Sequence, residues 1–456
     1  MSAGGEFLSD GERNSTLPAT AIGELSKLGA EAVALARELI RVDTSNPPGN
    51  ETAAAELLGR YLAEYGIEAE LTGPDPARLN LVARIEGSGT GPSLALCAHT
   101  DVVPAPPEGW SVPPFAGEVR EGRLIGRGAT DMKGELAARA AAFAAFARSG
   151  ERPAGDVLLI AQADEEANVS DVGMSWLVRE RPDVAFDFSL DEGGGILLDL
   201  ADGRRVVTIS VGEKLVSALR LRFHGRAGHA SVPRRAVNPL RLAARATEAL
   251  LETEAPARIV PPVGRALEAL GAPSEPGAAL AWAAGQHPIL ADLVAAMTRL
   301  TVTPTGLRTH EPSNVIPPCA DVLCDCRALP GQGEDDVREH LDRALAGIPY
   351  EMELLEPLEG GTESPTGTAL YRVIETYVAQ RLPGALLLPI LNAGFTDSHW
   401  IRSSRETVAY GFAPVFHTDA EAYSDAAHAD DEAIAVADVA EMAEFHLGTI
   451  TALQRD

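Results

Sequence analysis

The chain of 456 residues carries 66 acidic against 38 basic side chains, which gives a formal net charge of −28 at pH 7. Such a surface repels phosphate backbones and anionic lipids, so neither nucleic acid nor a membrane is an expected partner. No stretch approaches the roughly 20 apolar residues that span a bilayer, and the length predicts two domains rather than one.

Residues 1–20 lack the basic start and the apolar centre of a signal peptide, and we expect them to form a disordered tail. None of the cysteines stands in the CxxC spacing of a structural zinc site. Reduced thiols in a cytoplasmic protein are therefore expected at Cys97, Cys319, Cys324 and Cys326.

An α/β pattern occupies residues 21–212. Apolar side chains recur at helical spacing over residues 21–41 and 52–65, and residues 132–148 form an Ala-rich helical stretch. Between these stretches lie compact apolar runs bounded by turn residues, which are typical of buried strands in a parallel or mixed sheet. These runs are NLVARIEG, SLALCAH, DVLLIAQA and FDFSL.

A second pattern occupies residues 213–357. Its strands and helices are predicted in the order β-α-β-β-α-β, which is that of a ferredoxin-like unit. Residues 255–300, rich in proline and then helical, form an insertion in this unit. Afterwards α/β signals return and end in a helix near residues 433–447. The predicted fold is a catalytic α/β domain of residues 21–212 and 358–456 with an inserted ferredoxin-like α+β lid of residues 213–357.

Five apolar runs end in side chains of the kind that binds metals. They are LALCAHTDVVP with His99 and Asp101, GRGATDMKGE with Asp131, QADEEANVSDVG with Glu165 and Glu166, SLDEGGG with Asp191 and Glu192, and SDAAHADDE with His428. Counted along His99, Asp131, Glu166 and Glu192, the separations are 32, 35 and 26 residues. Each separation matches about one strand–helix excursion, so these side chains can meet where the carboxyl ends of the strands converge.

Each position also has an ordinary explanation when it is taken alone. Asp131 would cap the helix that follows it, Glu165 and Glu166 would form a solvated loop, and His428 would be a surface residue. Five such strand ends together favour a metal site. Mixed imidazole and carboxylate ligands suit zinc, or cobalt or manganese, and two His with three carboxylates suit two ions ~3.5–4 Å apart.

Seven motifs follow one another along the chain, namely AHTDVVP, GRGATDMKGE, DEEANVSDVG, LDEGGG, GRAGHASVP, NVIP and AHADDE. In these motifs and their order the chain resembles, from about residue 30 onward, the co-catalytic zinc family that contains aminoacylase, glutamate carboxypeptidase and succinyl-diaminopimelate desuccinylase. The DEGGG form resembles the aminoacylase branch more than the desuccinylases. The resemblance implies a mixed-sheet zinc-peptidase (phosphorylase/hydrolase-like) catalytic domain, whose inserted lid also forms a dimer.

The resemblance implies a role for each polar strand end. The metal ligands would be His99 and Glu192 on one ion, Glu166 and His428 on the other, and Asp131 as the bridge, followed by a cis peptide. Glu165 would be the general base, and Asp101 would hydrogen-bond His99 and fix its tautomer. Two assignments keep an alternative. Asp191 would replace Glu192, and His417 is a rival of His428, although FHTDAE lacks the family's His-x-x-Asp-Glu spacing.

The resemblance also indicates four substrate-binding residues. His229 in GRAGHASVP would stabilise the oxyanion in the partner subunit's active site, which makes a homodimer necessary. Asn314 in NVIP and Arg327 in CDCRAL would bind a substrate carboxylate, although a solvent salt bridge explains Arg327 equally well. Thr396 would lie near the substrate, with Phe395 in place of the second glycine of the family's Gly-Gly-Thr turn.

Together these features predict a metal-dependent hydrolase of amide or peptide bonds in N-acyl amino acids or short peptides with a free carboxylate. The expected cofactors are two Zn²⁺ ions, with Co²⁺ or Mn²⁺ as alternatives. Two other functions remain open, a desuccinylase- or deacetylase-like biosynthetic enzyme and a non-catalytic binding protein on the same fold. The complete ligand set together with Glu165 argues against the non-catalytic alternative.

Overall fold

The computed structural model describes residues 25–167, 170–309, 312–358 and 361–454. Its helices are α1 (Lys27–Ile40), α2 (Glu51–Ala63), α3 (Lys133–Ser149), α4 (Met174–Glu180), α5 (Leu240–Glu252), α6 (Pro261–Ala269), α7 (Pro276–Ala284), α8 (Pro288–Thr298), α9 (Glu334–Ala344), α10 (Ala369–Arg381), α11 (Ser398–Ser404), α12 (Ala420–Ala426) and α13 (Val436–Gln454). None of these described helices combines the length and the hydropathy needed to cross a bilayer.

The strands in the same ranges are β1 (Ala69–Thr72), β2 (Asn80–Ile85), β3 (Leu94–His99), β4 (Glu118–Arg120), β5 (Arg123–Ile125), β6 (Val157–Gln162), β7 (Phe188–Asp191), β8 (Leu197–Asp199), β9 (Arg205–Glu213), β10 (Leu215–His224), β11 (Gly228–His229), β12 (Thr301–Arg308), β13 (Val315–Ile316), β14 (Cys319–Ala328), β15 (Glu351–Leu354), β16 (Leu386–Asn392), β17 (Val408–Gly411) and β18 (Ala433–Ala435). A short 3-10 helix spans Pro233–Arg235.

A large mixed sheet forms the centre of the molecule, with the strand order β1-β2-β6-β3-β7-β17-β9-β16 and β8 beside β9. Strand β3 is parallel to both of its neighbours, β6 and β7, whereas β1 and β2 are antiparallel. Helices α1, α3 and α13 pack against one another on one face, and α4 and α11 contact each other on the opposite face. Every residue of β3 and β6 is buried because both faces are covered, which explains their unbroken apolar sequences. The predicted α/β class is confirmed.

A smaller antiparallel sheet, which we call the lid sheet, has the strand order β12-β14-β10-β15. Along the chain its elements run β10, α5, β12, β14, α9 and β15. This is the ferredoxin-like order that the sequence predicts. Only Lys214 separates β9 of the large sheet from β10 of the lid sheet, next to the predicted domain boundary at residue 213. The domain limits themselves stay a prediction.

The insertion expected at residues 255–300 contains α6, α7 and α8. These helices do not cover the lid sheet. Instead α6 and α8 pack against β16 of the large sheet, and they enclose the buried side chains of Leu388, Ile390 and Leu391. The chain therefore passes between the two sheets four times, at Lys214, between α5 and α6, between α8 and β12, and between β15 and α10.

The two ends of the chain depart from the predicted helix limits or lie outside the described residues. Helix α1 begins at Lys27, where the hydroxyl of Ser26 accepts a hydrogen bond from the Gly29 N–H at 3.0 Å. The predicted tail of residues 1–20 lies outside the described part. The C-terminal helix predicted near residues 433–447 was wrong at its start, because residues 433–435 pair with β5 as β18, and the helix then continues to Gln454.

Candidate active site

The polar strand ends meet at the carboxyl edge of three neighbouring strands. His99 is the last residue of β3, Glu192 follows β7, and Glu166 lies in the turn after β6. These strands are parallel neighbours in the large sheet, so their ends open at one edge. Asp131 precedes α3, and His428 lies between α12 and β18. The sequence-predicted ligands are thus contributed by five separate segments of the chain.

Two clusters of potential metal ligands share one carboxylate. His99 Nε2 lies 3.0 Å from Asp131 Oδ1 and 3.6 Å from Glu192 Oε2. On the other side, His428 Nε2 lies 3.3 Å from Asp131 Oδ2 and 3.0 Å from Glu166 Oε2. The two oxygens of Asp131 therefore face different imidazoles. This is the arrangement that a carboxylate bridging two metal ions requires.

The ligand set fits divalent cations on chemical grounds. Imidazole nitrogens and carboxylate oxygens are donors that bind zinc and related ions. Glu166 Oε1 is buried and, among the described residues, has no hydrogen-bond partner. Burial raises the pKa of Glu192 to about 7 despite the hydrogen bond from His99. Such a concentration of buried acidic groups is costly unless cations balance the charge.

Glu165, the candidate general base, lies beside the two ligand clusters and belongs to neither of them. Burial, and next to it the negative charge of Glu192, raise the pKa of the Glu165 carboxyl well above its usual range. Hydrogen bonds to Asp131 and Glu166 raise the pKa of His428 to about 10. A carboxyl group with a raised pKa that is not itself a ligand suits proton transfer.

Asp101 lies under the turn that carries Glu165 and Glu166. Its Oδ1 accepts a hydrogen bond from the Glu165 N–H at 3.2 Å, and its Oδ2 accepts from the Glu166 N–H at 3.1 Å and from Asn46 Nδ2 at 2.9 Å. His99 Nδ1 lies 3.0 Å from the backbone oxygen of Asp101 and 3.5 Å from its Oδ1. The backbone carbonyl is therefore the nearer acceptor for His99, and the carboxylate mainly positions the general-base candidate.

Glu432 holds the loop that carries Asp131. Its Oε1 accepts from the backbone N–H groups of Thr130 at 2.7 Å and Asp131 at 3.0 Å. Its Oε2 accepts from the Gly128 N–H at 3.0 Å and from Arg127 Nη1 at 2.7 Å. Sequence reasoning missed this role, although Glu432 ends the motif AHADDE. The peptide bond between Asp131 and Met132 is cis, as the resemblance implies.

Asp397 is a second residue that the sequence analysis missed. It is buried at the start of α11, and among the described residues its Oδ2 has no hydrogen-bond partner. Burial and the charge of Asp191 raise its pKa well above the usual range. The sequence GFTDSHW could have indicated Asp397, because this residue directly follows Thr396, a predicted substrate-binding residue.

The structure places the two rival residues of each open ligand assignment in different surroundings, and the assignments themselves stay predictions. Asp191 Oδ2 accepts a hydrogen bond from Ser398 Oγ at 2.9 Å, and Glu192 rather than Asp191 belongs to a potential metal cluster. His417 is exposed, and its backbone N–H donates to Asp438 Oδ1 at 2.8 Å. It belongs to neither cluster, whereas His428 does.

His229 and Asn314 lie together on the lid. Strand β11 pairs with β13, and the Ala230 N–H donates to the backbone oxygen of Asn314 at 2.9 Å. The His229 side chain is exposed, with its Nδ1 2.7 Å from Ser231 Oγ. The structure thus places the two predicted substrate-binding residues on neighbouring segments of the lid. Their roles stay predictions.

The other two predicted substrate-binding residues have local partners. Arg327 in β14 donates from Nε to Asp325 Oδ1 at 2.9 Å, which is the salt bridge considered from the sequence. Thr396 is buried, and its backbone oxygen accepts from the His399 N–H at 3.0 Å. Phe395, beside it, packs edge-on against Trp400 with ring centroids 5.8 Å apart. The roles of Arg327 and Thr396 also stay predictions.

A mixed α/β sheet that gathers two His–carboxylate clusters around one shared aspartate defines the class of metal-dependent hydrolases with a two-metal site. The model of Peptidase family M20/M25/M40 matches residues 95–452, and the chain belongs to this family. It is accordingly a metallohydrolase that acts on amide bonds, and the family resemblance read from the motifs is confirmed.

Known relatives and structures agree with this assignment. The chain is 26% identical over 430 residues to the human N-fatty-acyl-amino acid synthase/hydrolase PM20D1, covering 89% of this chain and 84% of that protein. It is 34% identical over 214 residues to succinyl-diaminopimelate desuccinylase from Methylococcus capsulatus, covering 46% of this chain and 54% of that protein. The fold is similar to that of the M20 family metallo-carboxypeptidase Sso-CP2 from Sulfolobus solfataricus, with a TM-score of 0.71 and 19% identity over 93% of this chain and 99% of that one.

Proposed function

We propose that the protein is a di-zinc amidohydrolase that cleaves the amide bond of N-acyl amino acids or short peptides with a free carboxylate. His99 and Glu192 would hold one ion, Glu166 and His428 the other, and Asp131 would bridge them. The observation that carries the proposal is the geometry of Asp131, whose two oxygens lie 3.0 and 3.3 Å from two different imidazoles. Co²⁺ or Mn²⁺ would fit the same donors.

The mechanism follows from what the side chains around the centre can do. When bound, the two ions supply Lewis acidity toward the scissile carbonyl and lower the pKa of the attacking water toward ~7. Glu165 accepts a proton from the attacking water while the water oxygen forms the bond to the carbonyl carbon. Glu165 then gives this proton to the amide nitrogen as the C–N bond breaks. Asp101 holds the Glu165 backbone in place throughout, through the 3.2 Å hydrogen bond from the Glu165 N–H.

The choice of substrate class rests on the named relatives. One acts on N-fatty-acyl amino acids, and the other removes a succinyl group from diaminopimelate, so both names describe an acyl group on an amino acid nitrogen. The family as a whole is one of peptidases. An aminoacylase or carboxypeptidase activity is therefore the finer proposal.

The four cysteines, none of which forms a disulfide within the described residues, support a cytoplasmic location.

A hydrolysis screen tests the proposed function. Purified protein, loaded with Zn²⁺ or Co²⁺, is offered N-acetyl, N-succinyl and long-chain N-acyl amino acids and dipeptides, with and without a chelator. We expect hydrolysis of N-acyl amino acids that the chelator abolishes and added metal restores. A strong preference for N-succinyl substrates would identify the desuccinylase-like alternative. If no substrate is hydrolysed in a chelator-sensitive manner, the proposal is wrong.

A homodimer through the lid is part of this proposal. Strand β12 is at the edge of the lid sheet, and an open groove runs between it and α5. Leu251 and Leu307 line this groove with 67% and 47% of their surface exposed. Exposed apolar side chains grouped at a sheet edge are typical of protein interfaces, and a second copy of the same face can cover them in a two-fold dimer.

Light scattering of a groove variant tests the dimer. Leu251→Glu places a charge in the groove, and we expect it to convert a dimer of about twice the chain mass into a monomer. The matched control is Leu386→Glu on β16, an exposed leucine at the edge of the large sheet, which should leave the dimer intact. A wild-type monomer at micromolar concentration, or a dimer that survives Leu251→Glu, would contradict this interface.

A further inference from the structure

Arg139 is a completely buried arginine in the middle of α3. Its Nη1 donates to the backbone oxygen of Cys97, and its Nη2 donates to the backbone oxygen of Asp191 at 2.8 Å. Nη2 also forms an ion pair with Glu135, one helical turn earlier. Burying a guanidinium costs free energy unless its N–H groups are paired and hydrogen-bonded. Two of the hydrogen bonds of Arg139 connect different strands.

The two carbonyl groups stand where strands β3 and β7 separate. The register of this parallel pair runs from Leu94 opposite Phe188 to Leu96 opposite Leu190, and it ends there. The next residues of the two strands are Cys97 and Asp191. Their carbonyl oxygens both accept hydrogen bonds from the guanidinium of Arg139. Arg139 thus connects the two strands beyond the point where their ladder stops.

The separation of strands β3 and β7 determines the distance between two of the candidate metal ligands. His99 lies two residues beyond Cys97, and Glu192 lies one residue beyond Asp191. The 3.6 Å between His99 Nε2 and Glu192 Oε2 is close to the spacing of two ligands on one ion whose metal–ligand bonds are ~2.0–2.2 Å long. A change in the strand separation would change this spacing, since both side chains project from the ends of the separated strands.

We propose that Arg139 is a positioning residue that sets the spacing of His99 and Glu192 and thereby the affinity of the metal ion they would hold. The inference rests on the ligands of the proposed function. It concerns only one of the two ions, because the other cluster is held by different contacts. There the backbone oxygen of His428 accepts from Arg127 Nη2 at 3.2 Å, independently of Arg139. Arg139 donates to backbone oxygens of the two strands, so the guanidinium acts on the ion through geometry.

Metal titrations of Arg139→Met in two backgrounds test the proposal. In His428→Ala the remaining ion is held by the His99 side of the centre, and in His99→Ala it is held by the His428 side. Zn²⁺ and Co²⁺ affinities of the metal-free proteins are measured by calorimetry. In the His428→Ala background, we expect Arg139→Met to weaken binding by roughly 10–100-fold, as loss of an outer support of metal ligands does. In the His99→Ala background we expect no change.

Two further variants keep the test decisive. Arg148→Met removes an arginine from the same helix, where it pairs with Glu31 on the surface, and should leave both affinities unchanged. Arg139→Lys keeps the charge but cannot reach both carbonyl oxygens, so it should give the same one-sided loss if Arg139→Met does not fold. Equal losses in both backgrounds, or none, would overturn the role of Arg139. Wild-type protein that binds no metal would instead overturn the proposed function.

Discussion

The metal-binding end of the large sheet and the lid sheet differ in how their functional side chains are held. At the metal end Glu432 and Asp101 hold the loops of Asp131 and Glu165 by hydrogen bonds between distant segments of the chain. On the lid, His229 is exposed, and its side chain contacts Ser231, two residues away. The first region is preorganised for chemistry, whereas His229 is held by a local contact and, in the proposed dimer, would act on the partner subunit. Mutations at the metal end and on the lid should therefore differ in how strongly they lower kcat.

Glu165→Gln should have the largest effect, and it tests the metal end of this contrast. Removing the proton acceptor should lower kcat by about 10²–10⁴-fold, because general-base catalysis contributes that much. Metal content should not change, since Glu165 belongs to neither ligand cluster. Steady-state kinetics and metal analysis of the variant measure both quantities, with Glu108→Gln, an exposed carboxylate, as the control. Unimpaired hydrolysis would rule out Glu165 as the base.

His229→Ala tests the lid. If this side chain stabilises the oxyanion, its loss should lower kcat by roughly 10²–10³-fold and leave metal content and thermal stability unchanged. The matched control is His224→Ala, also exposed on the lid, where His224 Nε2 pairs with Glu351 at 3.0 Å. Mixing His229→Ala with Glu165→Gln subunits should restore part of the activity if the histidine acts in the partner's site. Full activity of His229→Ala would remove the lid from the chemistry.

Lys214, between the two regions, should give the smallest effect, seen in the pH dependence of stability. Burial and the charge of Arg327 lower its pKa from 10.5 to about 8. Between pH 8 and 10.5 the unfolded chain binds more protons than the folded one, so this residue makes the free energy of unfolding rise with pH. The slope is at most about 1.4 kcal/mol per pH unit.

Urea unfolding at pH 7, 8, 9 and 10 measures this slope. The stability of the wild type relative to Lys214→Met should increase from pH 8 upward. The control Lys27→Met, which removes an exposed lysine of α1, should give a flat difference over the same range. A difference that stays flat or falls for Lys214→Met would mean that Lys214 is not buried as a cation at neutral pH.

Much of the fold and the ligand set follows from local sequence signals. The buried strands and the ferredoxin-like order were predictable, because hydrophobic period and length distinguish strand from helix. His99 was predictable because it ends the apolar run of β3, and the other four ligand candidates because they stand in motifs that the chain shares with the family. Only the five residues together indicate a metal site, whereas a single pair such as His99 and Asp101 does not.

The supporting residues were not predictable for a physical reason. Glu432 and Arg139 act through backbone groups of Asp131, Cys97 and Asp191, and such contacts leave no pattern in the side-chain sequence. Arg139 stands in an Ala-rich helix, where one arginine suggests a solvent-facing position. The insertion likewise gave correct helices but no indication that they pack on β16, because packing partners across a long sequence separation are set by tertiary structure.

The four passages of the chain between the two sheets have very different lengths. The connection between α5 and α6 has eight residues, 253–260, whereas Lys214 alone and residues 299–300 form two much shorter ones. These two short connections are tied to each other, since Lys214 Nζ donates to the Arg299 backbone oxygen at 2.8 Å. The passage between β15 and α10 is tied to the same place, since the Glu213 N–H donates to the Thr362 backbone oxygen at 3.1 Å. Three of the four passages therefore meet beside Lys214, and a substitution of this lysine acts on the junction of the two sheets.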